Sequence, residues 1–213
     1  MEYIEMALAK GRLVDTTLEL FSEIGLTFPT YSKRSRKLFF TNDEWQVRMI
    51  LVKSSDVPTY VERGAVDIGV VGKDVLLETE AHVYELVDLG FGACKMAVAS
   101  KDEAYQRKPK PIVATKYPHI AQTYFRDKGQ PIETIYLQGS VELAPLVGLS
   151  DCIVDIVETG ATLKENGLHV TEEIASLSAR LVVNRASFKT KFQRLNGLIE
   201  KIQAVIDQRE GRQ

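Results

Sequence analysis

The sequence predicts an α/β protein built in two lobes, and three observations carry that expectation. Apolar runs of strand character alternate with segments of helical period from the N-terminus onward, the pattern of a largely parallel sheet flanked by helices. The alternation stops at Ser100–Pro111, a polar stretch holding Pro109 and Pro111 that reads as a loop. Beyond it the alternation begins afresh, which places a second lobe after the first.

Taken in order, Ile4–Ala9 predicts the first strand and Lys10-Gly11-Arg12 a turn. Leu13–Ile24 predicts an amphipathic helix with Leu13, Thr17, Leu20, Phe21 and Ile24 on one face, closed by Gly25. Leu38–Thr41 and Gln46–Val52 predict a hairpin around Asn42-Asp43, and Val57–Arg63 a short helix with Pro58 in its first turn. Ile68–Val71 predicts a buried strand, and Lys73–Leu77 the start of a helix. Val83–Leu86 and Cys94–Ala99 predict strands on either side of Gly90-Phe91-Gly92. In the second lobe the order is strand Ile112–Thr115, helix Ile120–Lys128, strand Thr134–Leu137, helix Glu142–Leu149 and strand Cys152–Val157. Leu181–Asn184 predicts a last short strand. Phe188–Gln208 predicts one long helix, with Phe192, Leu195, Ile199, Ile202 and Ile206 at three- and four-residue spacing.

The 213 residues are 45% hydrophobic and 26% charged, which excludes intrinsic disorder, collagen and coiled coil. Lys and Arg total 27 against 29 Asp and Glu, a net charge of −2 that supplies no global field for a polyanion such as nucleic acid. Cys94 and Cys152 are too few for a disulfide framework and lack metal-ligand spacing. The acidic start Met1-Glu2-Tyr3-Ile4-Glu5 does not resemble a secretory signal, and no apolar run approaches the roughly 18 residues of a membrane span, so a cytoplasmic location away from membranes is expected.

The chemistry concentrates in Asp151–Leu168, where an apolar strand runs into Glu158-Thr159-Gly160-Ala161-Thr162 and then a helix beginning near Leu163. Unpaired amides and two hydroxyls converging at a helix N-terminus suit a phosphate monoester. Asp155 and Glu158 would repel that phosphate; as pure acceptors they suit hydroxyl groups beside it, so the segment reads as recognition of a ribose 5-phosphate. The plainer reading makes Thr159 a helix cap and Gly160 a turn residue.

In form this segment resembles the 5-phosphoribosyl 1-pyrophosphate (PRPP) motif of phosphoribosyltransferases. ALAKGRL (Ala7–Leu13), Asp56–Leu76, Asp88–Ala99, Gly139–Asp151 and ETGATLKENGL (Glu158–Leu168) extend the resemblance over essentially the whole chain, to the ATP phosphoribosyltransferases of histidine biosynthesis. The resemblance implies two α/β lobes like those of type II periplasmic binding proteins, with the active site in the cleft between them. The division expected is residues 1–92 with 180–213, and 93–179. It implies displacement at the anomeric carbon of PRPP by N1 of ATP, with Mg²⁺ carried mainly on substrate phosphates and no dedicated metal site. It also implies the short form, a catalytic chain working with a histidyl-tRNA-synthetase-like regulatory subunit. A homo-oligomer of catalytic chains is expected within that hetero-oligomer, the apolar face of the final helix being one surface for association.

PRPP contacts are then expected from Asp155, Glu158, Thr159, Gly160, Ala161, Thr162 and Leu163. Lys10, Gly11 and Arg12 follow the first strand, and basic residues at a strand's carboxyl end face the crevice where open α/β sheets bind ligands; the resemblance places them, with Gly72 and Asp74, at ATP. In Ser32–Lys37, four cations in six positions, Arg36 matches the family's SRK arginine as a stabiliser of the departing pyrophosphate. Lys53 stands where some similar enzymes carry arginine, keeping the charge without the fork; Lys10, Arg36 and Lys53 form the expected catalytic set. Lys73, Ser140 and Glu142 are further candidates, although Asp74 and Ser140 read equally as helix caps, with Glu142 near N3. His82, His119 and His169 lack zinc spacing. Two alternatives stay open: a two-lobed sensor of small ligands, and a phosphoribosyltransferase for another base.

Overall fold

A computed structural model describes residues 2–211. The chain divides into two compact units, the first ending at Gly92 and resuming at Ser178, the second spanning Ala93–Leu177.

The first unit carries a six-stranded sheet. Its strands are β1 (Ile4–Ala9), β2 (Phe39–Asn42), β3 (Val47–Val52), β4 (Ile68–Gly72), β5 (Tyr84–Asp88) and, late in the chain, β11 (Ala179–Val183), in the order β2-β3-β1-β4-β11-β5. β3, β1 and β4 run parallel, whereas β2, β11 and β5 join antiparallel. The ladders are therefore mixed rather than largely parallel, because the late strand β11 inserts between β4 and β5 against their direction.

β1 is buried on both faces, as a central strand must be. Ile4, Met6 and Leu8 pack with Leu20 and Phe21 of helix α1 (Arg12–Glu23) and with Leu195, Leu198, Ile202 and Ile206 of the final helix. The alternate residues Ala7 and Ala9 face Val57 and Val61 of α2 (Val57–Glu62) and Val75 and Leu76 of α3 (Lys73–Thr79). Gly69 allows that close approach: a Cβ there would lie 2.7 Å from methyls of both Val57 and Val61.

The tail is two helices, α7 (Arg185–Thr190) and α8 (Phe192–Glu210), not the single helix expected. The interruption at Lys191 has a tertiary cause. Its ammonium reaches Asp67 Oδ2 at 3.0 Å, and Asp67 is 4% exposed. Asn184 caps α7, accepting from Ala186 and Ser187 amides at 2.9 and 2.8 Å, and its side-chain nitrogen donates to the Val61 carbonyl at 2.7 Å. Asn184→Ala removes the cap and the side-chain bond to α2 together; we expect a stability loss of about 2 kcal/mol by denaturant titration. A change under about 0.5 kcal/mol, the range of surface substitutions, would contradict this. Most of the apolar face of α8 (Leu195, Leu198, Ile202 and Ile206) is buried in the first unit's own core, while Phe192 at its start stays half exposed.

The second unit carries β6 (Cys94–Ser100), β7 (Ile112–Thr115), β8 (Glu133–Tyr136), β9 (Cys152–Val157) and β10 (His169–Leu177) in the order β10-β6-β9-β7-β8. β8, β7 and β9 are parallel, with β6 and β10 antiparallel beyond them. Helices α4 (Pro118–Asp127), α5 (Leu143–Leu146) and α6 (Ala161–Glu165) complete it. The helix expected over Glu142–Leu149 shrinks to four residues, since Pro145 cannot sit deeper than a first turn and Gly148 turns out at φ 76°.

The loop expected over Ser100–Pro111 contains a 3-10 turn, Glu103–Arg107, that buries Tyr105. The Tyr105 hydroxyl meets Thr171 Oγ1 at 2.9 Å and donates to Glu172 at 3.0 Å. Glu172 also accepts from Tyr124 at 2.5 Å and from Lys128. Burial pushes this carboxyl up, but the bonds from Lys128, Tyr124 and Tyr105 outweigh it and hold it below the usual range. Burial and the Glu172 contact push the Tyr124 hydroxyl up. A carboxyl depressed in the folded state adds stability that is full above its unfolded pKa of about 4.3 and lost as pH falls through the lower folded value. Glu172→Gln is therefore expected to flatten the fall of Tm with acidification below about pH 5. An unchanged acid slope would contradict that role.

Candidate functional site

Each unit presents three parallel strand ends. In the first these are the carboxyl ends of β3, β1 and β4, and they bring Lys53, Lys10-Gly11-Arg12 and Gly72-Lys73-Asp74 to one edge of the sheet. The Lys10 amide continues the ladder, donating to Val52 O at 2.8 Å. Gly11 then turns the chain at φ 115°, ψ −146°, a conformation open essentially to glycine alone, and caps α1.

The turn and the basic run meet in a groove of about 540 Å³ lined by Lys10, Gly11, Arg12, Tyr31, Lys33 and Ser35, among others. Tyr31 is fixed edge-on to buried Phe40, ring centroids 5.3 Å apart. Lys33 lies 2.8 Å from Asp15 Oδ2, and that hydrogen bond holds its ammonium pKa up. Arg36 and Lys53 are exposed and lie off this lining. At β4 the cap of α3 is Gly72, with Asp74 inside the first turn, so the expected Asp74 cap is corrected. A Cβ on Gly72 would collide with the Asp74 carboxylate.

In the second unit β8, β7 and β9 end side by side. β9 feeds Glu158-Thr159-Gly160 and α6 begins at Ala161 rather than Leu163. Gly160 is the helix cap, left-handed at φ 75°, ψ 2°. Thr159 Oγ1 accepts from the Ala161 amide at 3.3 Å, so the threonine shapes the loop it belongs to. The amides of Thr162 and Leu163, in the first turn, have no acceptor within the helix by its geometry. Leu163 anchors the loop in a core with Ala114, Ile153 and Leu168, while Glu158, Thr159 and Thr162 are exposed. Asp155 sits on β9 opposite Ala97 and accepts from the Ile156 amide at 2.8 Å.

Ser140, following β8, is left-handed at φ 49°, which a helix cap is not; Glu142 occupies the cap position of α5 without a capping bond, so that arrangement is corrected. Sequence reasoning passed over the middle strand end. Buried Thr115 donates to Val154 O at 2.6 Å and accepts from the Tyr117 amide at 2.8 Å, setting Lys116 out into solvent with its Nζ 5.4 Å from the Tyr117 ring centroid. The rule that singled out Lys10 applies equally to Lys116, just after a strand and just before Pro118 at a helix start. Burial, then Asp151 and Glu172, push the Cys152 thiol up to about 12, which leaves it an inert core residue. Among the described residues no three His, Cys, Asp or Glu side chains converge to hold a metal.

The fold is that of the periplasmic-binding class of two-unit α/β proteins. The aliphatic sulphonate binding protein SsuA from Escherichia coli matches with a TM-score of 0.60 at 13% identity, covering 99% of this chain and 76% of that one. The ATP phosphoribosyl transferase (HisG:HisZ) complex from Thermotoga maritima matches with a TM-score of 0.85 at 36% identity, over 96% of this chain and 99% of that chain. The family profile of HisG: ATP phosphoribosyltransferase matches residues 53–204. An ATP phosphoribosyltransferase of Alkaliphilus metalliredigens is 52% identical over 95% of this chain and 97% of its own length, and one of Clostridium botulinum 49% identical over 98% and 100%. The chain belongs to the ATP phosphoribosyltransferase family. Among the described residues no helix is long and apolar enough to cross a membrane.

Proposed function

We propose that this chain, an ATP phosphoribosyltransferase of histidine biosynthesis, takes the 5-phosphate of PRPP on the Glu158–Leu163 loop and the polyphosphate of ATP on the Lys10–Arg12 turn. The observation that carries the reading is the left-handed Gly160 between β9 and α6, which lets first-turn amides and the Thr162 hydroxyl face one exposed anion. Asp155 and Glu158 accept from ribose hydroxyls. Adenine N1 forms the bond to the anomeric carbon as that carbon's bond to pyrophosphate breaks, giving N1-(5-phosphoribosyl)-ATP and pyrophosphate. The side chains work by positioning and by charge, with no protein nucleophile. Lys10, Arg36 and Lys53 offset the charge of the departing pyrophosphate; Gly11, Arg12, Gly72 and Asp74 complete the ATP end, with Lys73, Ser140 and Glu142 as further contacts.

The residues fit a Mg²⁺ carried on substrate phosphates, an ion that keeps most of its waters and takes few protein ligands: Asp155 on β9, three residues ahead of the loop, would meet it through water. That ion would supply charge neutralisation on the phosphates. The alternatives, a ligand sensor or a transferase for another base, are not favoured by family membership along nearly the full chain. The complex formed by the Thermotoga maritima relative supports a HisZ-like regulatory subunit. We infer in addition that catalytic chains associate as homo-oligomers inside such an assembly, in the cytoplasm.

The test is product formation from ATP, PRPP and Mg²⁺, with and without that subunit. One pyrophosphate per phosphoribosyl-ATP supports the reading; release dependent on a free base instead of ATP overturns it. Feedback inhibition by histidine is expected only when the regulatory subunit is present, and inhibition of the catalytic chain by itself would contradict that division.

A further inference from the structure

Lys73, in the turn after β4, is held at both its ends by one cluster. Its ammonium lies 2.5 Å from Glu85 Oε2 on β5, reaching across β11, the strand between β4 and β5. Arg180 stands on β11 in register with Val71 on one side and Asp88 on the other. Its guanidinium divides between two carboxylates, Nη1 at 3.3 Å from Glu85 Oε1 and Nη2 at 2.7 Å from Asp88 Oδ2. The other Asp88 oxygen accepts from the Ser178 hydroxyl at 2.8 Å and from the Gly90 amide at 3.1 Å. The Ser178 carbonyl closes the circuit by accepting from the Lys73 amide at 2.9 Å. The Lys73 and Arg180 side chains are only 27% and 21% exposed, so the geometry is less screened than a surface pair's.

We propose that Arg180 is a positioning residue for the Gly72–Asp74 turn: its fork sets the Lys73 ammonium through Glu85 and the Lys73 backbone through Asp88 and Ser178. The inference rests on reading that turn as part of the ATP-binding end. Two carboxylates that would repel a nucleotide, Glu85 and Asp88, are neutralised beside it by Arg180, leaving Lys73 aimed by Glu85. Only a planar fork can hold both carboxylates at once, so lysine at this position keeps the charge and loses the second contact.

The test measures dissociation constants for ATP and PRPP by calorimetry on the complete chain. Arg180→Met is expected to weaken ATP about tenfold and leave PRPP unchanged, with Arg180→Lys intermediate. In a Lys73→Met background the same substitution should add less than about twofold, because the two act in series. Full additivity, or equal weakening of both ligands, overturns the positioning role. If Lys73→Met weakens ATP and Arg180→Met does not, the positioning role falls alone. If Lys73→Met leaves ATP binding unchanged, the reading of the turn as a ligand element falls, and the role with it. Should Arg180→Met fail to fold, Arg180→Lys and Ser178→Ala carry the same comparison, and unchanged ATP binding in both overturns the proposal.

Discussion

Gly160→Val is expected to weaken PRPP binding on the order of 100-fold, roughly 2.7 kcal/mol, while leaving ATP binding at the first unit unchanged. The native backbone there is left-handed at φ 75°, and a side chain in that region costs roughly 1–2 kcal/mol, with a β-branched one at the upper end. Relief comes only by rotating the peptide that leads into α6. That rotation also takes the Gly160 carbonyl away from the Lys164 amide, a 3.0 Å bond that closes the first turn of a five-residue helix. The amides of Ala161–Leu163 then no longer share a direction. Thr162→Val is the milder companion: the position is exposed, so stability should stay within about 0.5 kcal/mol. Losing one hydroxyl donor to a phosphate should weaken PRPP about tenfold, as a charge-assisted bond is worth roughly 1.5–3 kcal/mol. Isothermal titration of both variants checks the pair, and unchanged PRPP affinity in the double variant would remove the loop from the site.

Lys191→Met is expected to cost about 3 kcal/mol of stability, because it leaves the Asp67 carboxylate buried and half paired. At this chain length that lowers Tm by roughly 6–12 °C. Asp67 stands at a junction. Its Oδ2 accepts from the Glu5 amide of β1 at 2.9 Å, its own amide donates to the Glu5 carbonyl, and its carbonyl accepts from the Asn184 amide ahead of α7. The pair from Lys191 to Asp67 therefore ties the break between α7 and α8 to the sheet whose far end bears Lys10. Methionine keeps the volume and removes the charge, which isolates the electrostatic effect. The double variant Asp67→Asn with Lys191→Met should recover part of the loss, since the amide oxygen still accepts from Glu5. A single-variant loss below about 0.5 kcal/mol would mean that the carboxylate finds other support.

What could be read from the chain, and what could not, follows the range of the interactions. β1 and α1 were legible because the switch from period two to period 3.6 falls at Gly11, a residue whose conformation marks the turn. β10 was missed because its alternation is broken twice, with register shifts between Val170 and Glu172 and between Glu173 and Ala175, so apolar residues do not fall on one face of a regular strand. The break at Lys191 depends on Asp67, and the turn that buries Tyr105 depends on Thr171 and Glu172; neither partner is local. The same divide holds at the site. The Glu158–Leu163 loop is contiguous and so carries its own signal. The groove joining Lys10–Arg12 to Tyr31–Ser35, the Lys116 strand end and the Arg180 cluster exist only once the strand order is known.

The most direct measurement is thermal unfolding of the complete chain with PRPP titrated in at fixed Mg²⁺, for the native sequence and for Thr162→Val. A preformed phosphate loop requires no regulatory partner to bind. At about 100 times its dissociation constant the ligand should stabilise the native chain by roughly 2.7 kcal/mol, a rise of about 5–10 °C, with the curve displaced to higher PRPP in the variant. No rise at millimolar PRPP, or an identical titration in Thr162→Val, would contradict the assignment of this loop as the PRPP anchor.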